Sequence, residues 1–264
     1  MSLVILSAQA NPVPRFEYAA ALKKAEAGDP EAQLKVVDQL YSSCKPSDYF
    51  GWQPECDEKS CSSWLHKAAA KGYAPAQYLL GDLYKGHFGE YCGIERNVLQ
   101  GIVWLRKSAD QNYVCAFMSL AHMYDEGKDV QQDSVEAAKL YQKAAEAGDE
   151  HGQRALAKML AEGRGVSQDT VKAREWGIKA ALQGEMGIQR DLSKIYLETS
   201  PPDYAEAYYW LKLSNERVKR ETSLEAFNKY LSSEQIAALD ERVERDMEKF
   251  CREKSMLATC KEEK

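Results

Sequence analysis

Six side chains able to bind a metal or cross-link the chain crowd into one stretch: Cys44, Cys56, Cys61, His66, His87 and Cys92. Zinc sites usually pair their ligands at C-x2–4-C spacing, and here only Cys56 and Cys61 come that close. With seven cysteines in the chain and no evident zinc pattern, disulfides are the stronger expectation and zinc the alternative. Cys44, Cys56, Cys61 and Cys92 are expected to form two disulfides, in any of three pairings. Cys251 and Cys260 are expected to form a third, leaving Cys115 free. On one continuous helix those two would stand about 13 Å apart, too far to bridge, so the helix should end near Ser255. This cysteine usage points to an oxidising compartment.

Other reactive constellations are missing from the sequence. The four histidines, His66, His87, His122 and His151, form no HExxH. No Gly-x-Ser-x-Gly elbow and no phosphate-cradling glycine loop occurs. Carboxylates are plentiful, but on solvated helix faces they do no acid–base work without a pocket. No catalytic residue, metal or cofactor is expected. A net charge of −6 argues against nucleic acid as a partner, since phosphate binding needs a basic surplus. No run approaches the ~20 apolar residues of a membrane span. Residues 1–10 end in Ala8-Gln9-Ala10, a small-x-small pattern like that of a secretory cleavage site. They are expected to be a signal-peptide remnant, with a short disordered N-terminus as the alternative.

The elements that must position these residues are repeated. Trp64-Leu-His-Lys-Ala-Ala-Ala-Lys-Gly72, Trp104-Leu-Arg-Lys-Ser-Ala-Asp-Gln-Asn112, Leu140-Tyr-Gln-Lys-Ala-Ala-Glu-Ala-Gly148 and Trp176-Gly-Ile-Lys-Ala-Ala-Leu-Gln-Gly184 align, their last residues 40, 36 and 36 apart. A weaker copy ends at Gly28, and a second segment follows each, such as Pro75–Tyr84. The periodicity is helical: Ala137, Leu140, Tyr141 and Ala144 fall on one face. Gly148 and Gly184 stand where left-handed C-caps belong, and Asp133 with Glu136 reads as an N-cap with a capping-box partner.

These residues resemble the SEL-one-like repeat, a variant of the tetratricopeptide helical hairpin. The pattern A-x-A-Q-x-x-L-G-x-x-Y is met at Ala74–Tyr84, the turn G-x-G-V-x-x-D at Gly163–Asp169, and the Trp-led helix at Trp176–Gly184. The resemblance covers about 16–213 and implies an all-α, right-handed superhelical solenoid of about five antiparallel helical hairpins. Residues 11–214 would form the array and 215–264 a C-terminal helical cap, with 231–240 and the charged run 240–254 shielding the last repeat. Asp129 stands where the turn wants its second glycine, so that turn is expected to be strained or reshaped. In the repeat geometry the long loops after Tyr41 and Tyr84 leave the same end of neighbouring hairpins, which lets their thiols meet.

The repeat also assigns slots. Trp64, Trp104, Trp176 and Trp210 share one position, which favours core packing over a stacking ladder for sugars. Gln33, Gln77, Gln153 and Gln189 share another, a structural one bridging helix ends. By resemblance to tetratricopeptide arrays, the helix carrying Leu-Gly lines the concave side. One row there is Leu34, Tyr78, Met118, Arg154, Arg190; the next is Asp38, Asp82, His122, Lys158, Lys194. Both run from apolar or acidic to basic, the pattern of a groove able to orient an acidic segment, though a solvated face also carries charge. Tyr49, Phe50 and Trp52, on the cysteine-bounded loop, are interface anchors or a cover for the first hairpin. The expected function is non-enzymatic protein binding in a bacterial envelope or secreted space, as an immunity protein or envelope adaptor. A binder of a cell-wall or glycan fragment is the alternative, and an intracellular regulatory scaffold comes third.

Overall fold

The computed structural model describes residues 15–44, 58–86, 92–183, 187–218 and 224–253. These hold α1 (Arg15–Glu26), α2 (Pro30–Cys44), α3 (Glu58–Ala70), α4 (Ala74–Lys85), α5 (Val98–Ala109) and α6 (Val114–Glu126). There follow α7 (Ser134–Glu146), α8 (Glu150–Glu162), α9 (Thr170–Gln183), α10 (Gly187–Leu197), α11 (Tyr204–Val218) and α12 (Ser233–Glu253). No strand occurs among the described residues, so the class is all-α helical repeat, as expected.

Punctuation is chemical and periodic. Asn97, Asp133, Asp149, Asp169 and Asp203 each precede a helix, and each side chain accepts from a backbone N–H two or three residues on, at 2.6–3.1 Å. Such caps satisfy donors that a helix start would otherwise orphan. Glu136 pairs with Lys139 at 3.5 Å. At the other end, Gly28, Gly72 and Gly148 take φ of 96°, 84° and 91°, and Asn112 takes 60° in the same slot. Asparagine is the side chain that best tolerates that region. Gly184 lies outside the described residues.

The Asp129 turn is not reshaped. Gly163 and Gly165 take φ of 67° and 72°, and Gly127 and Asp129 take 65° and 71°. One backbone serves both turns, and Asp129 bears the cost of holding a Cβ in the left-handed region.

The chain divides into two compact units, Met1–Leu120 and Ala121–Lys264. In the first, Val37, Leu65, Leu80, Leu83 and Ile94 are buried together with Cys61 and Cys92. Gly81 of the Leu-Gly pair permits a close approach: a Cβ there would stand 2.9 Å from the Gly101 carbonyl oxygen and 2.7 Å from the Leu105 side chain.

In the second unit, α8 to α11 stack in sequence and α12 lies on α11. Ile236, Leu239, Val243 and Met247 of α12 face a core of Leu192, Ala207, Tyr208, Trp210 and Phe227. Its rim is polar and paired. The Tyr208 hydroxyl donates to Asp240 and the Tyr209 hydroxyl to Asp246, each at 2.7 Å. Arg242 pairs with Glu206 and lies 3.8 Å from the centre of the Tyr209 ring. The expected cap segment and its charged run thus form one amphipathic helix, which reaches Glu253.

Candidate protein-binding face

Cys61 and Cys92 are joined in a disulfide, with Cα atoms 5.1 Å apart and both side chains buried. It ties the start of α3 to the segment after α4. Of the three pairings left open by the sequence, this selects the one that leaves Cys44 with Cys56. Cys56 lies outside the described residues, as does the Cys44 side chain. Cys260 and the Cys251 side chain lie outside them too, as do residues 1–14, His87 and Tyr49, Phe50 and Trp52. Cys115 is exposed and not in a disulfide. The sulfurs of Cys61 and Cys92 are consumed by their bond, so neither is a thiolate ligand for zinc. Both ring nitrogens of His66 are engaged, Nδ1 with the Ser62 carbonyl at 2.7 Å and Nε2 with the Tyr84 hydroxyl at 3.1 Å.

The glutamine column is a backbone device. Nε2 of Gln33, Gln77 and Gln153 donates to the carbonyl eight residues earlier, Ala25, Ala69 and Ala145, at 3.0, 3.1 and 3.3 Å. Gln111 and Gln183 then donate to Oε1 of Gln77 and Gln153 at 2.7 and 2.8 Å. Each such pair links one repeat to the next through a buried amide.

Trp64, Trp104 and Trp176 are half-buried, and Trp210 is buried. Trp64 and Trp104 pack on the first unit's core and Trp176 on the second's. Above each ring stands the lysine three residues on: Lys67 over Trp64 at 4.3 Å, Lys107 over Trp104 at 4.0 Å, Lys179 over Trp176 at 4.1 Å. A ring with core on one side and an ammonium on the other is a poor platform for a sugar.

The two rows expected to line a concave side divide by unit. In the first, Leu34 packs against the core and Met118 is half-buried. Tyr78 is half-buried beside Tyr113, ring centres 5.5 Å apart, and burial pushes its hydroxyl pKa well up. Asp82 pairs with Lys85 at 2.7 Å, and Asp38 is exposed. In the second unit His122 meets the buried Tyr141 ring edge-on at 5.6 Å. Arg154 Nε lies 3.4 Å from Asp191, and its guanidinium leaves no room for a side chain at Gly187. Arg190 is half-buried, its Nε buried without a hydrogen-bond partner. Lys158 and Lys194 stand exposed, and Lys158 makes only a loose 3.9 Å pair with Glu162. The sequence expects Arg154 and Arg190 to be freely exposed. Arg154 is instead paired and Arg190 half-buried, while Lys158 on α8 and Lys194 on α10, in the adjacent expected row, are exposed.

Stacked helical hairpins and repeat-linking amide pairs define a helical-repeat protein. A family model described as the Sel1 repeat matches residues 57–73, 74–113, 116–149, 151–185 and 189–217, more than half of the chain. The chain belongs to the Sel1 repeat family, whose members are mainly non-enzymatic protein-interaction scaffolds. It is similar to c5321, a protective antigen of uropathogenic Escherichia coli strains displaying an SLR fold. The identity is 30% over 76% of this chain, with a TM-score of 0.64. It is also similar to a Sel1 repeat protein from Oxalobacter formigenes, 29% identical over 76% of this chain, with a TM-score of 0.56. The chain spans 41% of the first relative and 80% of the second. No curated protein matches it.

Proposed function

We propose that this chain is a protein-binding scaffold of a bacterial periplasm or secreted space, gripping an acidic segment of its partner along the lysine row of its second unit. One observation carries the reading. Lys158 and Lys194 hold the same slot in consecutive repeats, both exposed, while Arg154 beside them is neutralised by Asp191. Charge presented at the repeat period suits an extended chain, which meets successive helices at a similar interval. Support for the compartment comes from the Cys61–Cys92 disulfide, since thiols of cytosolic proteins are normally kept reduced. Within this class, immunity to a delivered toxin or an adaptor role in the envelope are the roles we favour. No helix among the described residues is long and apolar enough to cross a membrane.

The test of the surface is charge reversal at both lysines. Lys158→Glu with Lys194→Glu should weaken partner binding by at least about tenfold, given that a close charge pair across an interface is worth about 1.5 kcal/mol or more. Both side chains are exposed, so thermal stability should move by less than about 0.5 kcal/mol. Unchanged affinity would exclude this face. The test of the compartment is the redox state in cells: blocking free thiols at lysis should leave Cys61 and Cys92 unlabelled, and their labelling would count against it.

A further inference from the structure

Two tyrosines from different parts of the second unit lie face to face. Tyr204 opens α11, one residue after the Asp203 cap, whose carboxylate accepts from the Glu206 N–H at 3.0 Å. The same slot holds Val98, Ser134 and Thr170 in the earlier repeats, so the repeat itself calls for no aromatic ring there. Tyr230 lies outside the repeats, in the segment that leads into α12. Its N–H donates to the Phe227 carbonyl at 2.8 Å, and the buried Phe227 and Leu231 anchor the chain on both sides of it. The Tyr204 ring packs against the core to which those two residues belong.

The planes of the two rings are 4° apart and their centres 3.9 Å. So short a separation leaves little sideways offset, although stacked rings ordinarily prefer one. The pairs Tyr78–Tyr113 and Tyr208–Phe227 are tilted or edge-on instead, with centres 5.5 Å apart. The Tyr230 hydroxyl reaches that of Tyr204: after desolvation, the charge and hydrogen bonding of Tyr230 are what raise the Tyr204 pKa. The ring carbons beside one hydroxyl therefore lie close to their counterparts on the other ring. Among the described tyrosines only Tyr230 is exposed, at 49%, so a reagent in solution reaches the pair through it.

We propose that Tyr204 and Tyr230 form a site of oxidative modification, where a haem peroxidase acting with hydrogen peroxide joins them as a dityrosine. The oxidant removes one electron and one proton from each hydroxyl, and the peroxide that receives them leaves as two waters. The two phenoxyl radicals couple through a C–C bond between their Cε carbons. The hydrogen on each of those carbons then moves to the oxygen, which restores both rings and both hydroxyls. The net change is the loss of one hydrogen from each Cε. No diffusional encounter is needed, since the second radical forms against the first. The bond ties the start of α11 to the segment leading into α12 and so fastens the last helix to the last repeat. It does not depend on the lysine row.

Treating the intact protein in dilute solution with a haem peroxidase and hydrogen peroxide tests this. The monomer should gain dityrosine fluorescence, lose the mass of two hydrogens, and yield on digestion one cross-linked peptide pair that joins Tyr204 to Tyr230. Tyr204→Phe and Tyr230→Phe keep both rings but leave only one phenol to oxidise, and each should lower the monomer's dityrosine by at least about tenfold while helicity is unchanged. Tyr113→Phe, which removes a phenol from the tilted pair, should leave the yield as it is. Absence of dityrosine from the treated monomer overturns the proposal. So does dityrosine found only in cross-linked dimers, or a monomer product that maps to other tyrosines or survives in Tyr230→Phe.

Discussion

Individual side chains in this protein mostly serve the repeat, and their chemistry shows how. Burial pushes the Tyr113 hydroxyl up to about 12, with Cys115 beside it adding to the effect. Tyr208 and Tyr209 are raised further, by burial first and then by the acceptors Asp240 and Asp246. In the unfolded chain all three titrate near 10.0. Between pH 10 and 12 the unfolded state therefore loses protons that the folded state keeps, so this stability is fully present below pH 10 and is lost as pH rises. Thermal melts should fall steeply across that window while absorbance at 295 nm shows these tyrosines still protonated. Simple titration of every tyrosine near pH 10 in the folded protein would contradict it. The glutamine column offers a second check at this scale. Gln153→Leu orphans the Ala145 carbonyl and the Gln183 amide, and should cost about 1–3 kcal/mol in denaturant unfolding, against a few tenths for an exposed glutamine such as Gln142.

At the scale of elements, the two short turns make a matched comparison. They share one backbone, but Gly165 lies so close to the Ser134 carbonyl that any Cβ would collide with main chain. Gly165→Ala should therefore destabilise by about 2–4 kcal/mol. Asp129→Gly should move the other way, by about 0.5–1 kcal/mol, because it relieves the left-handed cost of a side chain. Equal, small effects at both positions would show that the turn backbones are not held as described. The disulfide acts between elements. It closes a sequence separation of 31 residues, which removes about 3–4 kcal/mol of unfolded-state freedom. Replacing Cys61 and Cys92 with Ala should lower unfolding free energy by about that amount.

Much at this scale was legible in the sequence, because helix faces, caps and turns are set by local chemistry that recurs every 36 residues. The Trp-led helices, the Asp caps and the left-handed glycines all follow from spacing. The lysines over the tryptophans were missed, although Trp-x-x-Lys stands in three of the aligned segments and i,i+3 residues share a helix face. The glutamine pairs were half seen: the Gln77 column was recognised, but its donors, Gln111 and Gln183, lie at the end of a different helix. Of the two outcomes the sequence leaves open for the Asp129 turn, strained or reshaped, the structure has the first: aspartate holds the left-handed angle at a cost. A repeat gives the slot of a residue but not what its side chain reaches. That is why Arg154 and Arg190 read as exposed, when Arg154 pairs with Asp191 and the Nε of Arg190 is buried.

At the scale of the whole molecule, we propose that the repeats of the second unit offer a periodic charged face to another protein. The apolar row of α12 covers Tyr208, Trp210 and Leu213, and its acids take the two tyrosine hydroxyls. The central claim is that Lys158 and Lys194 carry binding. It is tested most directly by immobilising the wild-type protein and the Lys158→Glu, Lys194→Glu variant side by side. The proteins each retains from the source cell's envelope and secreted fractions are then quantified across a salt series. A small set should be held by the wild type and lost from the variant. That set should also be released as salt approaches about 1 M, where charges are screened beyond about 3 Å. Retention of the same proteins by an equally folded variant, insensitive to salt, would contradict it.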